Sequence, residues 1–291
     1  MAPPRLLICI GAQKAGTSWL YGYLKDHPDC HMRSIKELHY FNLLGRGGQT
    51  DFHRRWRAAH DRLSARVASL PWYRGRDARR RLRDVVERLA MEEGRAGTHQ
   101  NYLSYLQSGR GRRRLIADIT PAYATLGQDT FAEMIALMPD VRILYILRDP
   151  VDRVWSQTRM IVRREGLADG AQAARAKVRR FCQRELDVIW RRSEYARTLE
   201  DLGAAVPEDR LMVLFYEDLF SPASIQELCA FAGIRYKAPK PDNVVHGGIP
   251  LPLHPEDRQR LAAVLRDQYE ACSARFGAAL PARWRTNMME V

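Results

Sequence analysis

At 291 residues the chain can form one large α/β domain or two small ones. A hydrophobic content of 46% is that of a folded soluble protein, and no apolar run is long enough to span a bilayer. The net charge is +13, yet only six of the 47 basic residues are Lys. Arginine-rich composition therefore accounts for much of the charge. The clusters Arg79-Arg80-Arg81 with Arg83, and Arg110 with Arg112-Arg113-Arg114, read as solvated faces, and nucleic acid is not expected as a partner.

Leu6 to Ile10 is too short for the core of a signal peptide. Cys9, Cys30, Cys182, Cys229 and Cys272 are odd in number and form no C-x-x-C pair, so neither a metal site nor a disulfide framework is expected. A reducing, cytoplasmic setting fits this usage. No linker, repeat or low-complexity tract divides the chain, which predicts a single domain over residues 1–291.

In chain order, Arg5 to Ile10 is nearly all apolar and reads as a buried parallel strand. A glycine-bearing loop follows, then a helix from Thr17 to Lys25 with Trp19, Leu20, Tyr23 and Leu24 on one face, stopped by Asp26-His27-Pro28. Residues from about 51 to 107 have helical spacing broken at Leu70-Pro71-Trp72, a helical insertion. Strands are expected at Leu115–Ala117, Arg142–Leu147 and Leu211–Phe215. Helices are expected at Thr130–Met138, Val151–Arg164, Ala171–Leu202, Ile225–Ala232 and Pro255–Phe276. This alternation predicts a P-loop-like α/β fold, a central parallel sheet covered by helices on both faces. In such a sheet the ligand sits at the carboxyl ends of the strands.

Gly11-Ala12-Gln13-Lys14-Ala15-Gly16-Thr17-Ser18 lies between a strand and a helix. Glycines let successive N–H groups point inward, the helix start adds positive potential, and Lys14 with the Thr17 and Ser18 hydroxyls completes a phosphate cradle. The plainer alternative is a tight structural turn with an exposed Lys. The loop departs from the Walker A pattern Gly-x4-Gly-Lys-[Ser/Thr], because Thr17 stands at the Lys position and the lysine is Lys14. Arg148 ends a strand, Pro150 is placed to open a helix, and Ser156 lies about two turns along it. An Arg fork with a hydroxyl suits a terminal phosphate.

Gly-x-x-Lys-x-Gly-Thr-Ser-Trp-Leu resembles the 5′-phosphosulfate loop of sulfotransferases that use 3′-phosphoadenosine-5′-phosphosulfate (PAPS). The segment Arg148-Asp149-Pro150 with Ser156 resembles that family's 3′-phosphate element. Lys36-Glu37-Leu38-His39-Tyr40-Phe41 is similar to a stretch of the heparan-sulfate and bacterial carbohydrate branch. Asp118-Ile119-Thr120-Pro121-Ala122-Tyr123 is similar to its turn bordering the acceptor cleft, with Ile119 where relatives often carry Lys. Tyr216-Glu217-Asp218-Leu219 matches a family element whose Tyr lies near the nucleotide. Val245-His246-Gly247-Gly248-Ile249 stands in place of a basic loop over the nucleotide, without Lys or Arg.

The resemblance implies a sulfuryl transfer from PAPS to a hydroxyl or amine of an acceptor, a carbohydrate or glycoconjugate in the family branch concerned, with release of 3′-phosphoadenosine 5′-phosphate (PAP) and no metal. Lys14, Ala15, Gly16, Thr17 and Ser18 would hold the 5′ end, and Arg148, Ser156 and Tyr216 the 3′ end. Glu37 is the implied base with His39 second, and Lys14 stabilises the leaving oxygen. A surface Lys36–Glu37 ion pair and a core His39 are the bland alternatives. A P-loop kinase or NTPase, and a basic polyanion binder without turnover, remain the competing functions. Acceptor identity and oligomeric state have no signature in the sequence.

Overall fold

The computed structural model of the chain describes residues 3–44, 51–93, 98–166, 169–239 and 251–289. Strand β1 (Arg5–Gly11) opens the fold, with Leu6 through Ile10 fully buried. Helix α1 (Thr17–Lys25) buries Trp19, Leu20, Tyr23 and Leu24, the face its spacing requires. Strand β2 (Cys30–His31) and helix α2 (Tyr40–Leu43) were not expected, and both are too short to carry a periodic signal. Helices α3 (Asp51–Ala68), α4 (Arg76–Glu93) and α5 (Gln100–Gln107) fill the stretch between β2 and β3 (Leu115–Ile119). Helix α6 (Gln128–Ala136), strand β4 (Val141–Leu147) and helix α7 (Pro150–Glu165) follow in the expected alternation.

The single helix expected from Ala171 to Leu202 is instead α8 (Gly170–Cys182), α9 (Asp187–Arg191) and α10 (Tyr195–Ala205). Arg184 takes a left-handed φ of 62° between the first two. The second break, between α9 and α10, has its reason in another element, because fully buried Arg153 of α7 must find acceptors. Its guanidinium donates to Gln157 Oε1 at 2.7 Å, to the Ile189 carbonyl at 3.2 Å and to the Ser193 hydroxyl. An uninterrupted helix would commit the Ile189 carbonyl to the N–H four residues on. Burial pulls the Arg153 pKa down to about 10.

Strand β5 (Leu211–Phe215) and helix α11 (Pro222–Ala232) follow the expected pattern. The final expected helix divides at Leu265 into α12 (Pro255–Val264) and α13 (Arg266–Phe276), and α14 (Ala282–Met289) is added beyond it. Leu265 is fully buried with φ −102° and ψ 8°, so the chain bends to keep both halves against the core. Trp284 of α14 is fully buried, its ring facing Tyr195, Phe215 and Tyr269.

Among the described residues the strands form one sheet in the order β2-β3-β1-β4-β5, every pair parallel. Leu6 lies beside Ile116 of β3 and Val141 of β4, so β1 is central and buried on both faces. On one face α1 meets α11, with Trp19 edge-on to Phe220 and the Tyr23 hydroxyl 3.2 Å from Cys229 Sγ. On the other, Thr198 of α10 donates to the Ala124 carbonyl at 2.8 Å. Opposed crossover directions place helices on opposite faces under right-handed connection. No helix among the described residues is long and apolar enough to cross a membrane.

Trp284→Ala removes a buried indole packed on three aromatic rings. The expected cost is about 3 kcal/mol, read as a lower urea midpoint at unchanged m-value. A loss below about 1 kcal/mol would mean α14 does not hold this packing.

Candidate active site

Parallel pairing brings the ends of β1, β4 and β5 to one edge. The Ala12 N–H donates to the Ile146 carbonyl at 2.6 Å, and the Tyr216 N–H to the Leu147 carbonyl at 2.7 Å. The loop after β1 then closes through Gly16, whose φ is 84°. A Cβ there would stand 2.7 Å from Leu219 Cδ2 and 3.2 Å from Tyr216 Cδ2, so glycine is required for backbone and for space. Ala15 and Thr17 are buried, which leaves Lys14, Gly16 and Ser18 as the more open positions.

Lys14 has φ 73°, and its ammonium contacts Met160 Sδ of α7 at 3.8 Å, a poor acceptor. Burial lowers its pKa, and Arg148, Arg163, Arg159 and Arg164 lower it further. Ser156, half-buried, shares a helix face with Arg159, Met160 and Arg163 by i, i+3, i+4 and i+7 spacing. The Met160 contact turns that face toward the loop. No carboxylate pairs with Lys14, Arg148 or Arg163 among the described residues, so the cations face one another across a shared space. Such an array suits a polyanion.

Arg148 leaves β4 and donates to the Lys14 carbonyl at 3.0 Å, with its guanidinium 4.4 Å from the centroid of the Tyr216 ring. The Tyr195 hydroxyl donates to the Arg148 carbonyl at 2.9 Å. The motif's other residues are structural. Asp149, fully buried, caps α7 by accepting from the Asp152 N–H at 2.9 Å, and accepts from the Tyr269 hydroxyl at 2.9 Å. Glu217 Oε1 accepts the Asp149 N–H at 3.0 Å. Burial pushes the Asp149 carboxyl up to about 6.

Glu37 and His39 come from the segment before α2, and both are left-handed, at φ 64° and 53°. Non-glycine residues adopt this region at a cost that surrounding contacts must cover. Helix α4 holds one side, as Asp84 accepts the Ser34 N–H at 2.7 Å and Arg88 donates to the Leu38 carbonyl at 2.9 Å. The other side rests on Tyr123, whose hydroxyl accepts the Tyr40 N–H at 3.0 Å and donates to Asp118 at 2.8 Å. Asp118 also accepts from Tyr102 at 2.9 Å and Thr120 at 2.6 Å, and burial raises its pKa. The Thr-Pro-x-Tyr turn thus braces the Glu37 segment from behind. Ile119 is buried with it.

Lys36 lies inside the site, its ammonium bridging Ser18 Oγ and Glu37 Oε1, each at 2.9 Å. His39 Nε2 lies 3.7 Å from Glu37 Oε2. Burial alone would raise the Glu37 pKa, but hydrogen bonds from His39 and Lys36 outweigh it and hold the carboxyl at about 2. Glu37 is therefore anionic and, in this arrangement, a weak base. Arg192, just past α9, donates to Gln13 Oε1 of the loop and feels the charge of Glu37.

The structure thus brings Lys14, Ser18, Glu37, His39, Arg148 and Tyr216 to one edge of the sheet. The stretch Val245 to Ile249 lies outside the described residues. Sequence reasoning missed Lys36 as a bridge, along with Arg192, Arg159 and Arg163. The spacing of Ser156, Arg159 and Arg163 on one helix was the available signal for the last two. For Arg192 no local signal exists.

Residues 4–238 match the model of a family described as the sulfotransferase family. A search of curated proteins found no match. Among solved structures, the sulfotransferase from Alicyclobacillus acidocaldarius is similar at 21% identity and a TM-score of 0.65, over 98% of this chain and 100% of that one. A sulfotransferase domain from the curacin biosynthetic pathway is similar at 18% identity and a TM-score of 0.51, over 91% and 98%. At such identities the structural likeness establishes the shared fold.

Asp149 makes a signed prediction about pH. Its folded pKa of about 6 lies above the ordinary 3.8, so its contribution favours the fold in acid and is lost as pH rises through about 6. Asp149→Asn keeps an acceptor for the Asp152 N–H and removes the titration. Its urea midpoint should vary less than that of the wild type between about pH 4 and 7. Identical slopes in the two proteins would assign the dependence to other groups.

Proposed function

The chain belongs to the sulfotransferase family, and from that premise we propose that it moves a sulfuryl group from PAPS to a hydroxyl or amine of a carbohydrate-containing acceptor. The reading treats residues 1–291 as one catalytic unit with α3, α4 and α5 as an insertion. The observation that carries it is the convergence of Lys14, Arg148, Arg159 and Arg163 on the loop after β1, with no carboxylate partner for Lys14 or Arg148 among the described residues. A donor with phosphate at its 3′ end and phosphosulfate at its 5′ end matches that charge and its two-ended layout.

In this reading the loop amides and Ser18 hold the 5′-phosphate, assisted by the start of α1. Arg148 and Ser156 hold the 3′-phosphate, with the Tyr216 ring backing the Arg148 guanidinium. The S–O bond to the phosphate breaks as the acceptor oxygen or nitrogen bonds to sulfur. Lys14 meets the negative charge that develops on the leaving oxygen, and its lowered pKa recovers as that charge forms.

Glu37 takes the acceptor proton. Lys36 is the control on that step, because the same ammonium binds Ser18 Oγ and Glu37. When Lys36 turns to a sulfuryl oxygen, Glu37 loses a partner that held its pKa down and becomes a stronger base. His39 stays beside Glu37 to orient it. Arg192, on Gln13, adds positive charge from the acceptor side.

Calorimetry with PAP, 5′-AMP and ATP tests the donor site. PAP should bind most tightly, and Arg148→Ala should weaken it by about 10-fold to 100-fold, the worth of a charge-assisted phosphate contact. PAP binding no better than 5′-AMP would remove the 3′-phosphate assignment, and tighter ATP binding would favour a kinase. Glu37→Gln, assayed with labelled PAPS across carbohydrate acceptors, should lower kcat by about 10²-fold to 10⁴-fold while PAP affinity stays within about twofold. An unchanged kcat would pass the role of base to His39.

A further inference from the structure

The two arginine clusters that read as solvated faces meet in three dimensions. Arg80 and Arg83 of α4 and Arg113, ahead of β3, line one open cavity of about 640 Å³ together with Lys25, His31 and Arg33. That volume is in the range of small-ligand sites. The cavity flanks Cys30 and the residues leading to Leu115, which pair at the amino ends of β2 and β3. The candidate active site lies at the carboxyl ends, so the two are separate.

Five cations line the cavity against three carboxylates, Asp26, Asp84 and Glu87. Two of those carboxylates are engaged by Arg33, at 2.7 Å to Asp84 and 2.6 Å to Glu87. Arg33 itself is 7% exposed, with its guanidinium 4.5 Å from the Tyr105 ring centroid and its Nε without a partner. Lys25, Arg80, Arg83 and Arg113 are exposed, and none of them forms an ion pair among the described residues. His31 Nε2 donates to the Ser108 carbonyl at 2.8 Å; burial lowers its pKa, and Arg33, Arg113 and Arg80 lower it further. Four exposed cations without an ion-pair partner among the described residues thus line one cavity, and Arg33, Arg80 and Arg113 all act on the His31 ring within it.

Like charges drawn from three separate segments of chain repel, and an anion between them relieves that repulsion. Guanidinium forks suit oxyanions, and cations spread around a cavity of this size exceed the reach of one tetrahedral anion. We propose that this cavity binds a multiply charged anion, a molecule carrying two or more sulfate, phosphate or carboxylate groups. A sulfated or uronate-bearing oligosaccharide and a nucleotide polyphosphate share that chemistry. The proposal stands apart from the transfer reaction, because binding here is read without turnover.

The test is binding of a fluorescent sulfated hexasaccharide to the full chain, with inorganic sulfate and ATP as competitors. Arg80→Ala/Arg83→Ala and Arg113→Glu change exposed side chains, so their urea midpoints should match that of the wild type. Each should weaken hexasaccharide binding by about tenfold or more and make it less salt-dependent. Arg148→Ala should leave it within about twofold. Competition by ATP that the Arg80/Arg83 variant abolishes would identify a nucleotide as the source of the anion, and its absence an oligosaccharide. Unchanged affinity in both cavity variants, or loss in Arg148→Ala alone, overturns the proposal. Inorganic sulfate competing as effectively as the hexasaccharide overturns its multiply charged character.

Discussion

The pairing of β1 with β4 is the constraint from which the site follows. Because both strands run the same way, their carboxyl ends emerge together, and the hydrogen bond from Ala12 to Ile146 continues the ladder into the loop. Lys14 and Arg148, 134 residues apart, then meet through the Lys14 carbonyl. The cost is electrostatic, since cations of the loop and of α7 crowd one another and depress the Lys14 pKa. The backbone contact and the Tyr216 ring hold Arg148 in place regardless. A structure that keeps like charges together by packing has its binding energy for an anion prepared in advance.

Conformational strain concentrates in the same place. Lys14, Glu37 and His39 all lie in the left-handed region. Each is fixed by contacts from distant elements: α7 for Lys14, and α4 with the Asp118–Tyr123 network for the Glu37 segment. Helix α4 therefore has two tasks. It braces the Glu37 segment, and its arginines line the basic cavity at the other end of the sheet.

The motifs divide into residues that face a ligand and residues that hold the others. Arg148 faces the shared cationic space, while Asp149 and Glu217 lock the start of α7 against α13 and β5. Tyr123 stands in a turn expected to border the acceptor, yet it is fully buried and supports the Glu37 segment through hydrogen bonds. The role of a motif residue is read only together with its burial and its partners.

What was legible in the sequence is local. The apolar run of β1, the Gly16 turn, the capping position of Pro150 and the broken helices between residues 51 and 107 each depend on hydrogen bonds and periodicity spanning a few residues. Those signals carried the sheet and its flanking helices, and they singled out the two segments proposed to hold phosphate. The tertiary structure alone decided which distant charges meet. Nothing near Lys36 says that it bridges Ser18 and Glu37, nothing near Arg192 places it on Gln13, and nothing near Arg80 brings it to Arg113. The break between α9 and α10 belongs with them, because the Ile189 carbonyl and the Ser193 hydroxyl there satisfy Arg153 of another helix. Backbone hydrogen bonding is set by neighbours in the chain. Charge pairing and burial are set by neighbours in space, which only the crossovers of the sheet bring together.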